Sequence, residues 1–240
     1  MSEMAQTDIV RRASASRIAN LLKGLGQMVL WIVLLFVSAG TIRSTRGWIC
    51  AGVYFITMTI TGMLVHHFNH DLMQARSKFA RADTASFDKL FLILFVPLTF
   101  VQVIVAGLDA VRFGWSHMPL WTVYPGILIY LFGIALVAWT LSVNPHAEQS
   151  VRIQSDRGHA VVTCRPYRFV RHPMYVGSML MYPATALMLG SRWALVIAAL
   201  MIILLIIRTS LEDKMLRNKL AGYDKFASET TRCRLVPGIW

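Results

Sequence analysis

Long apolar runs alternate with shorter polar, arginine-rich stretches along this chain, and charge almost vanishes inside the runs. Six stretches contain no Asp, Glu, Lys or Arg: residues 24–42, 47–65, 90–108, 118–143, 173–191 and 193–207. Each approaches the roughly 20 helical residues needed to cross a hydrocarbon core about 30 Å thick. The pattern therefore predicts an all-α, polytopic integral membrane protein with about six transmembrane helices. Only Ser191-Arg192 separates the last two, so they should form a tight helical hairpin. The run at 28–37, followed by Ser38-Ala39-Gly40, has the outline of a signal-peptide core, but the polar segment before it is long for one, and it is read as a span.

Local signals refine the ends of these elements. Pro173 suits the first turn of a helix, because it lacks the N–H that would be unpaired there, and it leaves His172 at the cap. The last run continues without a breaker through Arg208, Glu212, Met215 and Lys219 until Ala221-Gly222. Leu211, Met215, Leu216, Leu220, Tyr223 and Phe226 recur at helical spacing, which predicts a C-terminal amphipathic helix on the membrane surface. Two parts result. Residues 1–142 hold helices 1–4 and a polar loop at 66–89; residues 143–240 hold a second polar loop, the hairpin and the C-terminal helix.

Composition agrees with a membrane protein. Of 240 residues, 56% are hydrophobic and only 15% charged, against about 25% in soluble domains. That excludes a secreted, disordered or ordinary cytosolic chain. Cys50, Cys164 and Cys233 are too few and too scattered for a disulfide framework. The net charge of +12 would point to nucleic acid were it not so unevenly placed. Arg11, Arg12, Arg17 and Lys23 precede the first span; Arg76, Lys78, Arg81 and Lys89 lie in the first long loop; five arginines occupy the second loop, and the segment after the last span is richest. Only Arg43, Arg46, Arg112 and Arg192 fall on the opposite side. The positive-inside rule puts both termini and both long loops in the cytoplasm, and no nucleic-acid partner is needed.

The second loop, residues 144–175, is the chemical centre. The free N–H groups at the helix start after His172 favour an anion, while Arg165, Arg168 and Arg171 have an equally good use in holding lipid phosphates. Arg208 and Glu212, four apart, share one helix face. They are either a surface ion pair or, because the hairpin returns this helix end beside Pro173, part of one cavity with His172. Several other signals are weak. Gly24-Leu25-Gly26 lacks the third glycine and the strand of a dinucleotide fingerprint, and His66-His67-x-x-His70-Asp71 lacks a metalloprotease pattern or cysteine partners, so no metal is expected.

One resemblance rests on Arg157-Gly158-His159-Ala160-Val161-Val162-Thr163, Pro166-Tyr167-Arg168, Arg171-His172-Pro173-Met174-Tyr175-Val176-Gly177, and Arg208 with Glu212 leading to Gly222-Tyr223 and Pro237. From about Asn144 onward the chain resembles the isoprenylcysteine carboxyl methyltransferase family of integral membrane enzymes, which use S-adenosylmethionine. Related phospholipid and thiol methyltransferases share these elements, and membrane sterol reductases have a similar C-terminal organisation. The resemblance implies a cofactor pocket lined by Gln154, His159, Ala160, Val161, Val162, Tyr167, His172, Pro173, Met174 and Tyr175, with Glu212 holding a polar group of the cofactor. It implies a substrate-facing Arg208, and a catalytic set of Arg208, His172 and Tyr175. The acceptor would be lipophilic and enter from the bilayer, the carboxylate of an isoprenylcysteine-like molecule first among the choices. A phospholipid amine or a thiol is the alternative; such an acceptor sheds a proton, for which His172, His159 or Tyr175 could serve as base. In one departure, Arg165 stands where the pattern usually has Gly. Outside methyl transfer, an NADPH-dependent reductase of sterol or isoprenoid substrates keeps the same architecture. A lipid-binding or transport scaffold is the non-enzymatic reading, and spans free of acidic residues count against ion-coupled transport.

Overall fold

The computed structural model describes residues 22–76, 81–230 and 233–235. Arg11, Arg12, Arg17, Lys78 and Arg232 of the charge count, and Pro237 of the C-terminal motif, lie outside the described residues. The chain is all-α as expected. Helix α1 is Leu22–Ala39, and α2 is Thr45–Phe68, its first turn capped by the Ser44 hydroxyl, which accepts the Gly47 N–H. A short α3, His70–Arg76, lies within the first polar loop. Next come α4, Ser86–Gly107, extended by a π turn to Arg112, and α5, Val123–Val143. The chain ends in α6, Pro173–Leu189, α7, Arg192–Lys219, and a one-turn α8, Tyr223–Lys225, extended by a π turn.

Five helical segments are long and apolar enough to cross a membrane: Leu22–Ala39, Thr45–Phe68, Ser86–Arg112, Leu120–Val143 and Arg192–Lys219. The sixth expected span is a helix too, but α6 has only 17 residues and carries Pro183 inside it. At 1.5 Å per residue it reaches about 25 Å, short of a full hydrocarbon core. Its connection to α7 is the two-residue turn Gly190-Ser191, with the Ser191 hydroxyl accepting the Ala194 N–H at 2.9 Å to cap α7.

Helices α5 and α6 make the closest contact in the bundle. A methyl group on Gly177 would fall 2.5 Å from the Gly133 carbonyl oxygen, and one on Gly133 would fall 2.7 Å from that of Gly177. Glycine at both positions is what lets the two backbones touch, the usual device where no hydrophobic force operates between helices in lipid. The main apolar core draws Trp31 and Leu35 from α1, Cys50 from α2, Val103 from α4, Tyr130 and Ile134 from α5, Ala184 and Met188 from α6 and Ala194 from α7.

Polar pins hold each end of the bundle. At one end the Arg46 guanidinium donates to the carbonyls of Met118 and Pro119 at 2.7 and 2.6 Å and to those of Leu187 and Met188 at the end of α6, both at 3.3 Å. Nearby, the buried Asp109 accepts from the hydroxyls of Ser116 and Ser191 at 2.6 Å. At the other end the Asn69 amide, just past α2, donates to the carbonyls of Leu141 and Asn144 at 2.8 and 3.0 Å. That second end gathers α3, the starts of α4 and α6, the ends of α2, α5 and α7, and the 144–172 loop.

Candidate functional site

The 144–172 loop is built from small local turns. Asn144 caps α5 and folds back so that its side-chain oxygen accepts the His146 N–H at 2.8 Å. A single helical turn, Ser155–Arg157, ends at Gly158 with φ +59°, and a second, Arg165–Arg168, leads to His172 and the start of α6. Arg165 itself has φ +55°, alone among the described non-glycine residues in the left-handed region. The departure noted in the sequence thus falls on a turn that favours glycine, and the turn forms regardless.

Between this loop and the ends of α6 and α7 lies a cleft of about 790 Å³, counting its open mouth. Gln154, His159, Ala160, Val161, Val162, Tyr167, His172, Pro173, Met174, Tyr175 and Glu212 all line it. The Tyr175 hydroxyl donates to the Glu212 carboxylate at 2.5 Å, so the start of α6 and the end of α7 close on one chamber. One end of the cleft is apolar, where Tyr167, Leu216, Leu220, Tyr223 and Phe226 pack together with Val161 and Val162. These are largely the residues whose spacing predicted a helix lying on the membrane. Instead α7 stops at Lys219, Gly222 turns the chain at φ +80°, and the apolar stripe folds inward to cover the cleft, because burial against the loop removes more of it from water.

Arg208 is placed differently from its expected role. It is absent from the cleft lining and lies behind it, 7% exposed. Its Nε is 2.8 Å from Asp88, one terminal nitrogen donates to the Gln149 carbonyl at 2.9 Å, and the guanidinium stands 4.4 Å from the Phe91 ring centre and 5.2 Å from that of Tyr175. No Arg208–Glu212 pair forms: Arg208 answers Asp88 and Glu212 answers Tyr175.

His146 and His159 stack with ring centres 4.6 Å apart at the cleft. The His159 Nδ1 accepts the Gln154 N–H at 3.3 Å, and His146 Nε2 accepts the Ala160 N–H at 3.4 Å. Burial, reinforced by His146 and nearby arginines, pushes His159 down to about 4, and burial lowers His146 as well. Both rings are therefore neutral near pH 7, and His159 is a poor proton acceptor. His172 caps α6 by position only; its ring lies parallel to that of Tyr175, centres 5.6 Å apart, and its Nε2 is 3.6 Å from Asp213. The amides of Tyr175 and Val176 already donate to the His172 carbonyl at 3.1 and 3.3 Å, which leaves little of the expected anion site.

Two buried ionic hubs escape sequence inspection. Arg152 is held by Glu148 at 2.9 Å, Asp156 at 2.7 Å and Asp83 at 2.9 Å; Glu148 above all keeps it more firmly protonated than usual. Asp213, fully buried, receives Arg171 at 2.8 Å, Arg234 at 3.1 Å, Arg217 at 3.3 Å and the Tyr223 hydroxyl at 2.9 Å. Beside it the C-terminal segment pairs with the loop, the Arg171 and His172 amides donating to the Cys233 and Arg234 carbonyls at 3.0 and 3.1 Å. Arg171 is thus structural, while Arg165 and Arg168 stay exposed. Only Arg217, four residues from Asp213, gave a spacing signal for this hub. Elsewhere, Nδ1 of His66 and His70 approach to 3.0 Å, and among the described residues no three His, Cys, Asp or Glu side chains gather around a metal-sized site.

Fold and site together define an all-helical integral membrane protein with a cleft among the helix ends at one end of the bundle. Residues 121–221 match the phospholipid methyltransferase family, a segment that runs from the turn before α5 to the end of α7 and contains most of the cleft. That similarity agrees with the resemblance carried by the loop and hairpin motifs. No curated protein matches the chain.

Proposed function

We propose that the protein transfers a methyl group from S-adenosylmethionine to a lipophilic acceptor at the cytoplasmic face of its membrane. The observation that carries this reading is the joint lining of one cleft by the eleven residues named from sequence, closed by the Tyr175–Glu212 hydrogen bond. The cleft fits the cofactor in kind. One end is apolar enough for a purine, and Glu212 offers a carboxylate with no cation partner among the described ion pairs.

When bound, the cofactor would supply an electrophilic methyl on a sulfonium centre. The chain's own contribution is alignment and exclusion of water, since displacement needs the reacting atoms held about 3 to 3.5 Å apart in line. Val161, Val162, Leu216 and Phe226 provide the dry wall. A carboxylate acceptor needs a free cation beside the reacting methyl, and Arg208 is already matched by Asp88. That pair favours the second acceptor class, a phospholipid amine, over the isoprenylcysteine-like carboxylate. The amine's proton would pass to Glu212, either directly or through the Tyr175 hydroxyl as that group hands its own proton to Glu212.

Radiolabelled methyl transfer from S-adenosylmethionine into a total lipid extract tests this reading, with phosphatidylethanolamine and a prenylcysteine analogue run in parallel. Label in the amine lipid is expected. Label confined to the prenylcysteine analogue would restore the carboxylate acceptor, and NADPH binding without S-adenosylhomocysteine binding would replace methyl transfer by reduction.

A further inference from the structure

Arg76 lies in the first polar loop, outside the segment that matches the family, and by sequence alone it is one more basic residue of that loop. The fold gives it a place behind the cleft. Segment 147–151 forms one wall there, with Ala147 and Val151 both on the lining, and its backbone is gripped at three points. Arg208 of α7 donates to the Gln149 carbonyl at 2.9 Å. Asp88, in the first turn of α4, accepts the Val151 N–H at 2.7 Å, and the Val151 carbonyl accepts the Ala85 N–H at 2.9 Å. The third grip comes from the end of α3, where the Arg76 guanidinium donates to the Ala147 carbonyl at 2.6 Å. Helix α3 is itself seated against this wall: its fully buried Leu72 packs with Val65, Leu141 and Ala147, and Asn69 just before it is tied to the carbonyls of Leu141 and Asn144.

Arg76 is half-buried, and among the described residues it stands in no ion pair and makes no other hydrogen bond. Burial, with repulsion from Arg208, draws its guanidinium down to about 10, so it stays charged near pH 7; the Glu148 carboxylate close by is committed to Arg152 and Arg157. A cation taken out of water without a counter-ion opposes folding. Its one partner here is a backbone oxygen of the cleft wall, through a charge-assisted bond roughly twice as strong as a neutral one. We propose that Arg76 is a positioning residue: it holds Ala147, and with it the 147–151 wall, in the shape that receives the adenosyl cofactor. A wall fixed before the ligand arrives does not have to be ordered on binding. The proposal rests on the methyl-transfer reading above.

Wild-type protein in detergent micelles is compared with Arg76→Met, which keeps the apolar stem but cannot donate, and Arg76→Lys, which can. S-adenosylhomocysteine is titrated into each, and amide hydrogen exchange is followed without ligand. Arg76→Met should bind about three- to tenfold more weakly, the worth of one hydrogen bond, with faster exchange confined to the peptide that covers 147–151. Arg76→Lys should recover most of both. In turnover, the KM for S-adenosylmethionine should rise in Arg76→Met while that for the amine lipid holds. Unchanged affinity in Arg76→Met overturns the proposal, as does a loss that Arg76→Lys fails to recover. Faster exchange spread over the whole bundle also overturns it, since Arg76 would then support the fold at large. Wild-type protein that fails to bind S-adenosylhomocysteine would instead remove the methyl-transfer reading, and exchange at 147–151 would still decide whether Arg76 fixes the wall.

Discussion

Arg165 holds a backbone conformation that costs an ordinary residue about 1–2 kcal/mol, and its exposed side chain makes no ion pair among the described contacts. Arg165→Gly removes that strain and adds back roughly 0.5–1 kcal/mol of glycine's own entropy. A net gain of between zero and about 1.5 kcal/mol is expected in unfolding free energy, read by denaturant titration; a loss would mean the guanidinium has a stabilising partner, such as a lipid phosphate. Arg208 should respond in the opposite sense. Arg208→Ala leaves Asp88, fully buried, without its cation, a change that costs about 3–5 kcal/mol when one member of a buried pair is deleted. Unfolding should shift strongly, and the acceptor KM should move less than stability does. A stable variant with a selectively raised acceptor KM would return Arg208 to the substrate-facing role. Glu212, Tyr175 and His159 could be named from sequence because their motifs are local. Asp88 and Asp213 could not, since their roles come from residues brought together only by the bundle, as where Asp88 meets Val151 across 63 positions.

Among the elements, α6 explains why the Arg-His-Pro-x-Tyr-x-Gly stretch reads as a unit. Pro173 starts the helix, Tyr175 two residues later reaches Glu212, and Gly177 seats the same turn against Gly133 of α5. Gly177→Ala would force a methyl to 2.5 Å from a backbone oxygen, which no side-chain rotation relieves. Displacing α6 should cost about 1–3 kcal/mol, the usual range for overpacking. It should also weaken S-adenosylhomocysteine binding, because Met174 and Tyr175 move with the helix. Full stability with normal binding would show that α5 and α6 can separate without disturbing the cleft. Helix positions were legible because apolar runs, Pro173 and Gly222 are strong local punctuation. The length of α6 was not, since its hydropathy alone does not show where the chain leaves the helix, and neither was the inward fold of the C-terminal stripe, because an apolar face on a helix does not say whether lipid or protein will cover it.

At the scale of the molecule, the two ends of the bundle have different tasks. One end is a set of pinned turns held by Arg46 and Asp109; the other carries the cleft, the two ionic hubs and most of the basic residues. We propose from the Lys/Arg asymmetry that the cleft end faces the cytoplasm, where a water-soluble cofactor would be met on one side and a bilayer-borne acceptor on the other. The chain carries its own probe of that assignment. Cys164 is exposed on the cleft-end loop, whereas Cys50 is buried in the core. With Cys233 changed to Ser, a membrane-impermeant maleimide should label Cys164 in inverted membrane vesicles and leave it untouched in sealed vesicles of native orientation. A cysteine placed at Gly114, in the turn after α4 at the opposite end, should show the reverse pattern. Both sites reacting from the outside would break the bundle's two-ended arrangement, and Cys164 reacting only from the outside would move the cleft, with any cofactor it binds, to the non-cytoplasmic face.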